Sequence, residues 1–149
     1  MPRAFCFIRE EKMYTKEING KLYDFNFGLG FVREIDRRET IQDNNKKTQN
    51  VGLSYAIAGL VDGDFEKYID CMLAGNKFSN GEKLTRPEIE NWMESDDFDF
   101  EKECEDLLNF FGKCNFTKKK TESVVKEAER IKEYQEAQHQ ARMARLGNS

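Results

Sequence analysis

The sequence predicts a mainly helical α+β domain: an N-terminal β-hairpin packed on a small bundle of about five helices, with a projecting C-terminal helix. Three observations carry this. Apolar and polar residues alternate on either side of an Asn-Gly pair at residues 19–20. From Phe27 onward the apolar residues recur at helical spacing. After Thr117 the chain becomes a run of Glu, Lys, Gln, Ala and Arg with no Gly or Pro before Gly147.

Asn19-Gly20 accepts positive φ at both central positions of a type I′ turn, the two-residue link that matches strand twist. That turn pairs Ile18 with Lys21, Lys16 with Tyr23 and Tyr14 with Phe25. One face collects Tyr14, Ile18, Tyr23 and Phe25; Thr15, Glu17, Asp24 and Asn26 dominate the other. Phe27, Phe31 and Ile35, with Val32 beside them, then mark one face of a first helix, and Asn26 is its expected N-cap. Gly28 and Gly30 each cost about 1 kcal/mol of helix propensity relative to Ala, which predicts a close approach of this helix to the hairpin. Gly28-Leu29-Gly30 also opens like a nucleotide-binding loop, but Arg33 stands where the third glycine belongs and no βαβ unit follows.

Ahead of the hairpin, Met1 to Lys12 reads as a loose leader whose Phe5, Phe7 and Ile8 are spaced for a short strand; Met13 is an alternative start. Glu39 to Asn50 is polar and reads as an exposed loop. Val51 to Val61 gives a second helix with Leu53, Ile57, Leu60 and Val61 on one face. Asp62-Gly63-Asp64 turns the chain, and Asp64 caps a third helix carrying Phe65, Tyr68, Ile69, Met72 and Leu73. Asp62, Asp64 and Glu66 alternate like the start of a calcium loop, but the glycine lies too early and Leu73 stands where the closing glutamate belongs.

Gly75 to Gly81 reads as another loop. Thr85-Arg86-Pro87-Glu88 is a capping box, with Leu84 and Ile89 as its hydrophobic staple, and it opens a helix carrying Ile89, Trp92 and Met93. Ser95-Asp96-Asp97 interrupts it. A fifth helix carries the stripe Phe100, Cys104, Leu107, Leu108 and Phe111, with acidic first turns that suit the helix dipole and Gly112 as its terminator. From Lys118 a last helix is polar nearly all round, with a thin stripe of Val124, Ala128 and Ile131.

Composition bounds the function. The length suits one domain with an appendage, divided as a leader 1–12, a hairpin and helical body 13–116, and a charged tail 117–149. Twelve phenylalanines argue against disorder. The net charge of −4 splits into about −7 on residues 1–116 and about +3 on residues 117–149, so the tail is suited to fold back on its own body or on a neighbouring copy in a homo-oligomer. No apolar run is long enough to cross a bilayer, and no membrane partner is expected. Cys6, Cys71, Cys104 and Cys114 show no Cys-x-x-Cys spacing, and the single histidine, His139, lies in the tail; reduced, buried thiols are expected, with no metal and no cofactor.

One stretch also carries a resemblance. Asp24 to Asp36 (Asp-Phe-Asn-Phe-Gly-Leu-Gly-Phe-Val-Arg-Glu-Ile-Asp), followed by Gly52-Leu53, the Leu-Val-Asp-Gly-Asp turn of Leu60 to Asp64 and an acidic helix ending near Gly112, resembles the tail assembly chaperones of long-tailed phages of Gram-positive hosts. The similarity covers about Met13 to Lys120 and rests on the order of the elements. It implies a non-enzymatic protein that keeps the long, aggregation-prone tape measure protein soluble and helps recruit tail tube subunits around it. It further implies tape measure and tail tube proteins as partners, the latter through a frameshift-extended product. The resemblance places the protein in the host cytoplasm and outside the finished virion.

Two other classes compete with that reading. A small nucleic-acid-binding or adaptor protein would use Lys118 to Lys120, Lys126, Arg130, Arg142 and Arg145 on the C-terminal helix. Five glutamates interleave with these, no aromatic platform accompanies them, and the acidic body repels a polyanion, so nucleic acid is disfavoured. Catalysis would need a nucleophile–histidine pairing, a phosphate loop or a ligand set, and the sequence offers none. The candidate partner-binding residues are therefore apolar: Trp92, Phe110, Phe116, Val124, Ile131 and Tyr134. Ordinary core burial is the competing assignment for Trp92, Phe110 and Phe116.

Overall fold

The computed structural model describes residues 12–147. The leader read at 1–12 therefore lies, Lys12 excepted, outside the described residues, as does Cys6. Strands β1 (Met13–Ile18) and β2 (Lys21–Asn26) form the antiparallel hairpin. Asn19 (φ 51°) and Gly20 (φ 84°) both take the positive values that a type I′ turn requires. The register is the one the turn dictates: Tyr14 opposite Phe25, Lys16 opposite Tyr23, Ile18 opposite Lys21. Ile18, Tyr23 and Phe25 are buried and Tyr14 is half-buried.

Helix α1 (Leu29–Asp36) begins later than the sequence suggested, and Asn26 is not its N-cap. The hairpin ladder continues past β2, with the Phe27 N–H donating to the Lys12 carbonyl at 2.8 Å. That bond holds Phe27 in extended backbone, so the helix starts only after Gly28. The Asn26 side-chain oxygen instead accepts the Gly28 N–H at 3.0 Å. Gly30 approaches the Phe78 ring, not the hairpin; a Cβ there would lie 2.7 Å from the ring.

The segment read as a loop at 39–50 is exposed as expected, but it pairs as β3 (Thr40–Gln42) with β4 (Thr48–Asn50). Every residue of both strands is exposed, so no apolar alternation announced it. Its turn is held locally: the Asp43 carboxylate accepts from the N–H groups of Asn45 and Lys47, both at 2.9 Å, and Lys46 takes φ 61°.

Helix α2 (Gly52–Asp62) ends at Gly63 in the left-handed region (φ 78°), and Asp64 caps α3 (Phe65–Lys77) by accepting from Glu66 and Lys67 N–H. The turn chemistry is therefore capping, as the spacing indicated. Helix α3 runs past the expected end near Leu73 and absorbs Gly75 and Asn76. A Cβ at residue 75 would lie 2.4 Å from the Phe27 ring, so glycine here admits an aromatic side chain against the helix backbone. Asn76 is almost wholly buried. Its amide donates to the Asp24 carbonyl (3.0 Å) and the Glu82 carbonyl (2.9 Å), and its oxygen accepts the Leu84 N–H (2.6 Å). One side chain thus fixes the hairpin and the 78–85 connection to the same helix end.

Helix α4 (Arg86–Met93) opens with the capping box, and the Tyr23 hydroxyl donates to Glu88 Oε2 at 2.7 Å, tying the hairpin to it. That bond and the burial of the phenol push Tyr23 up to about 12, while the Thr85 and Tyr23 hydroxyls hold Glu88 below the usual carboxylate range. Helix α5 (Phe100–Phe111), capped by Asp99, buries Cys104, Leu107 and Phe111. A short turn buries Cys114 and Thr117 and leads into α6 (Lys118–Gly147), whose first turns lie along α2. Helix α2 is the centre of the bundle, packing against α1, α3, α5 and α6.

Two substitutions test this account. Gly20→Val should cost about 1–2 kcal/mol, because a β-branched side chain resists positive φ; an unchanged thermal unfolding midpoint would count against the turn. Asn76→Leu should cost at least about 2 kcal/mol in urea unfolding, because it strands buried backbone groups at Asp24, Glu82 and Leu84.

Candidate partner-binding surface

The two faces of α2 have different fates. Leu53, Ala56, Ile57 and Leu60 point into the core, whereas Tyr55, Ala58 and Val61 face outward at three-residue spacing. On α6, Val124, Ala128 and Ile131 recur at offsets of four and three, and so lie on one stripe. Together these outward rows line an open groove of about 710 Å³. The charged residues along it are Asp62, Glu127 and Lys132.

Val61 and Asp62 also line a second groove of about 460 Å³, between α2 and α5, with Leu60, Phe100, Cys104 and Leu108 as its other apolar residues and Glu101 and Glu105 along it. Beyond Phe100 the Phe65 ring, 60% exposed, sits 4.5 Å away centroid to centroid. The result is one apolar track running from Tyr55 and Ile131 past Val61 to Phe100 and Phe65. Tyr55 and Ile131 are nearly half exposed, so water must be displaced from both when a partner covers them.

Of the candidate partner-binding residues, the fold brings Val124 and Ile131 together in the first groove. Tyr134 lies one turn further along α6, exposed, its hydroxyl accepting from Gln138 Nε2 at 2.8 Å. Trp92 is half-buried with its ring on Phe98 (4.6 Å), and Phe110 is half-buried against Tyr14 (5.1 Å) and Phe27 (5.7 Å). Phe116, 44% exposed, stands at the corner before α6. Sequence reading missed Tyr55, Val61 and Phe65 as surface residues. It assigned the last two to core stripes, because a stripe shows which face is apolar but not how wide the neighbouring helix is. Tyr55 carried a signal: it falls off the α2 stripe.

The basic residues of the tail do not form one patch. Lys126 pairs with Glu122 (3.3 Å) and Arg130 with Glu127 along the helix, and Arg142 and Arg145 lie about three turns further on. No helix among the described residues is long and apolar enough to cross a membrane, and no three His, Cys, Asp or Glu side chains among them group to hold a metal ion.

Comparison with protein families matches residues 15–126 to the model of the phage tail assembly chaperone protein, TAC. No curated protein and no solved structure matches the chain.

Cys104 is the nucleophilic side chain that lines the track, and burial pushes its thiol up to about 11. Burial raises Cys71 to about 12, and the Cys114 thiol donates to the Phe27 carbonyl at 3.4 Å. A thiol whose pKa is raised stays protonated at neutral pH and is a poor nucleophile. Alkylation of the native protein at about pH 8, read by peptide mass mapping, should leave Cys71 and Cys104 unlabelled until denaturant is added. Rapid native labelling of both would show that the helices do not close over them.

Proposed function

The chain belongs to the phage tail assembly chaperone family, and from that premise we propose that it holds the tape measure protein in soluble form and helps recruit tail tube subunits around it. Membership gives it a role in tail assembly, with tail proteins as its partners. The single observation that supports the finer reading is the apolar track across α2, α5 and α6 on a small acidic body. A chaperone of this kind has to cover apolar helical surface on its client reversibly. An open groove with half-exposed aromatic and branched side chains does that without enclosing the client.

In this reading residues 13–116 are the body and residues 117–149 an arm whose base completes the groove. Val124 and Ile131 contact the client together with Tyr55, Val61 and Phe65, and Tyr134 extends the contact outward along α6. Phe116 flanks the arm, and Trp92 and Phe110 support the surface from within the body through their ring partners. The role implied by the family is non-enzymatic: the track offers burial and charge, and the Cys104 thiol that lines it stays protonated at neutral pH. Acting as an assembly factor, the protein works in the host cytoplasm and does not remain in the finished virion.

The test is solubility of a tape measure fragment co-expressed with the chain. The full chain should keep the fragment in the supernatant, and Val61→Glu with Ile131→Glu should lower that fraction at least about tenfold while circular dichroism stays unchanged, since a charge placed in an apolar contact costs several kcal/mol. A fragment that aggregates equally with and without the full chain would remove the proposal.

A further inference from the structure

The charges along the track are one-sided. Asp62, Glu101 and Glu105 are all exposed, and none of the ion pairs among the described residues uses them. Asp62 lies where the two grooves meet, and Glu101 and Glu105 are one helical turn apart on α5 beside Phe100 and Leu108. Glu127 is held by Arg130, and Lys132 is the single basic residue lining either groove. The track is therefore an apolar floor bordered by three unpaired carboxylates.

We infer that this track selects one class of partner: an amphipathic helix whose apolar stripe is flanked by Lys and Arg. The inference rests on the reading of the track as the client-binding surface and names the chemistry of the segment it takes. A helix laid along Val61, Leu108 and Phe100 fills the grooves with its apolar stripe. Its flanking basic side chains reach Asp62 on one side and Glu101 and Glu105 on the other. Lys and Arg bury their methylene stems on the apolar floor while their charged ends stay in water near the carboxylates, so they add burial and charge pairing at once. An acidic flank would place like charges together in a partly dehydrated groove, and that juxtaposition opposes binding. A neutral flank would gain the burial alone. The carboxylates thus discriminate among apolar helices that the floor by itself would accept equally.

The test titrates the full chain into two labelled synthetic helices of about five turns, followed by fluorescence anisotropy. The two share leucines at i, i+3, i+4 and i+7; one is flanked by Lys and Arg, the other by Glu at the same places. At about 0.05 M salt the basic peptide should bind at least about tenfold more tightly, and the gap should narrow towards about 0.5 M as exposed charges are screened. The triple variant Asp62→Lys, Glu101→Lys, Glu105→Lys should abolish or invert the preference. A control with Glu17→Lys, Asp96→Lys and Asp97→Lys changes net charge equally and should retain it. Should the groove triple variant not fold, the neutralising pair Glu101→Gln and Glu105→Gln should still shrink the gap. Equal affinity for the two peptides, or an equal loss of preference in both triple variants, overturns the inference. If neither peptide binds while the tape measure fragment is kept soluble, the charge selection is wrong and the proposed function stands. If the basic peptide is preferred while the fragment aggregates, the selection stands and the identity of the client falls.

Discussion

Phe27 is the side chain on which the rest of this structure depends. Fully buried, its ring lies within 4.8–6.2 Å of Tyr14, Phe25, Phe31, Phe110 and Phe111, so one residue joins the hairpin, α1 and α5. The contacts with Phe31 and Phe111 are close to perpendicular, with interplanar angles of 79° and 83°. Such edge-to-face pairs contribute about 0.5–1.5 kcal/mol each beyond the area they bury. Gly75 of α3 leaves the room the ring occupies, and the Cys114 thiol bonds the carbonyl of the same residue. Five parts of the chain, the hairpin, α1, α3, α5 and the turn after α5, thus meet at the point where the backbone changes from strand to helix. That placement explains why the strand is extended by one more bond before α1 can start.

Around this apolar centre, a few polar side chains decide how the connections run. Asn76 satisfies three backbone groups that would otherwise be buried without partners, and Tyr23 reaches Glu88 across 65 positions of sequence. Lys16 bridges to Glu103 at 2.9 Å, Lys77 to Glu34 at 3.1 Å, and Lys67 to Glu39, so that charge pairs staple β1 to α5 and both α1 and the connection just before β3 to α3. Each is a modest contribution by itself in a partly exposed setting. Asn76 differs because a buried amide with all its partners is replaceable only at the cost of stranding them. In a domain whose whole stability is on the order of 5–15 kcal/mol, one such residue is a sizeable share.

The proposed working surface follows from the position of α2. With α1, α3, α5 and α6 all packed on it, its small residues Gly52, Ala56 and Gly59 turn inward and its Tyr55 and Val61 are left at the seams. Helices that splay around a central one leave grooves at those seams, and here the floor of each groove is apolar because α5 and α6 each carry apolar side chains that the core leaves partly uncovered. The exposed outer part of α6, polar from Lys132 onward except for Tyr134, Met143, Leu146 and its alanines, extends from the base of the groove for roughly 20 Å. The surface and the arm therefore share one helix, so a client seated on the track also meets the arm.

Local rules sufficed for much of this. The Asn19-Gly20 turn with its register, the Asp64 cap, the Thr85–Glu88 capping box and the buried stripe of α5 are all consequences of neighbours within a few positions, where backbone sterics and capping bonds act. The order of those elements also carried the family resemblance that the family model later matched. The sequence was silent where the deciding partner lies far along the chain. Gly75 reads as a breaker until Phe27, nearly fifty positions earlier, is seen to need its space. Asn26 reads as a cap until the Lys12 carbonyl holds the next residue in the ladder. The exposed β3–β4 pair buries nothing and so left no apolar pattern to read. Val61 and Phe65 look like core in sequence, because periodicity reports that a face is apolar, yet both are exposed. Whether that face is covered is settled only by the width and angle of the neighbouring helix, which belong to the tertiary structure alone.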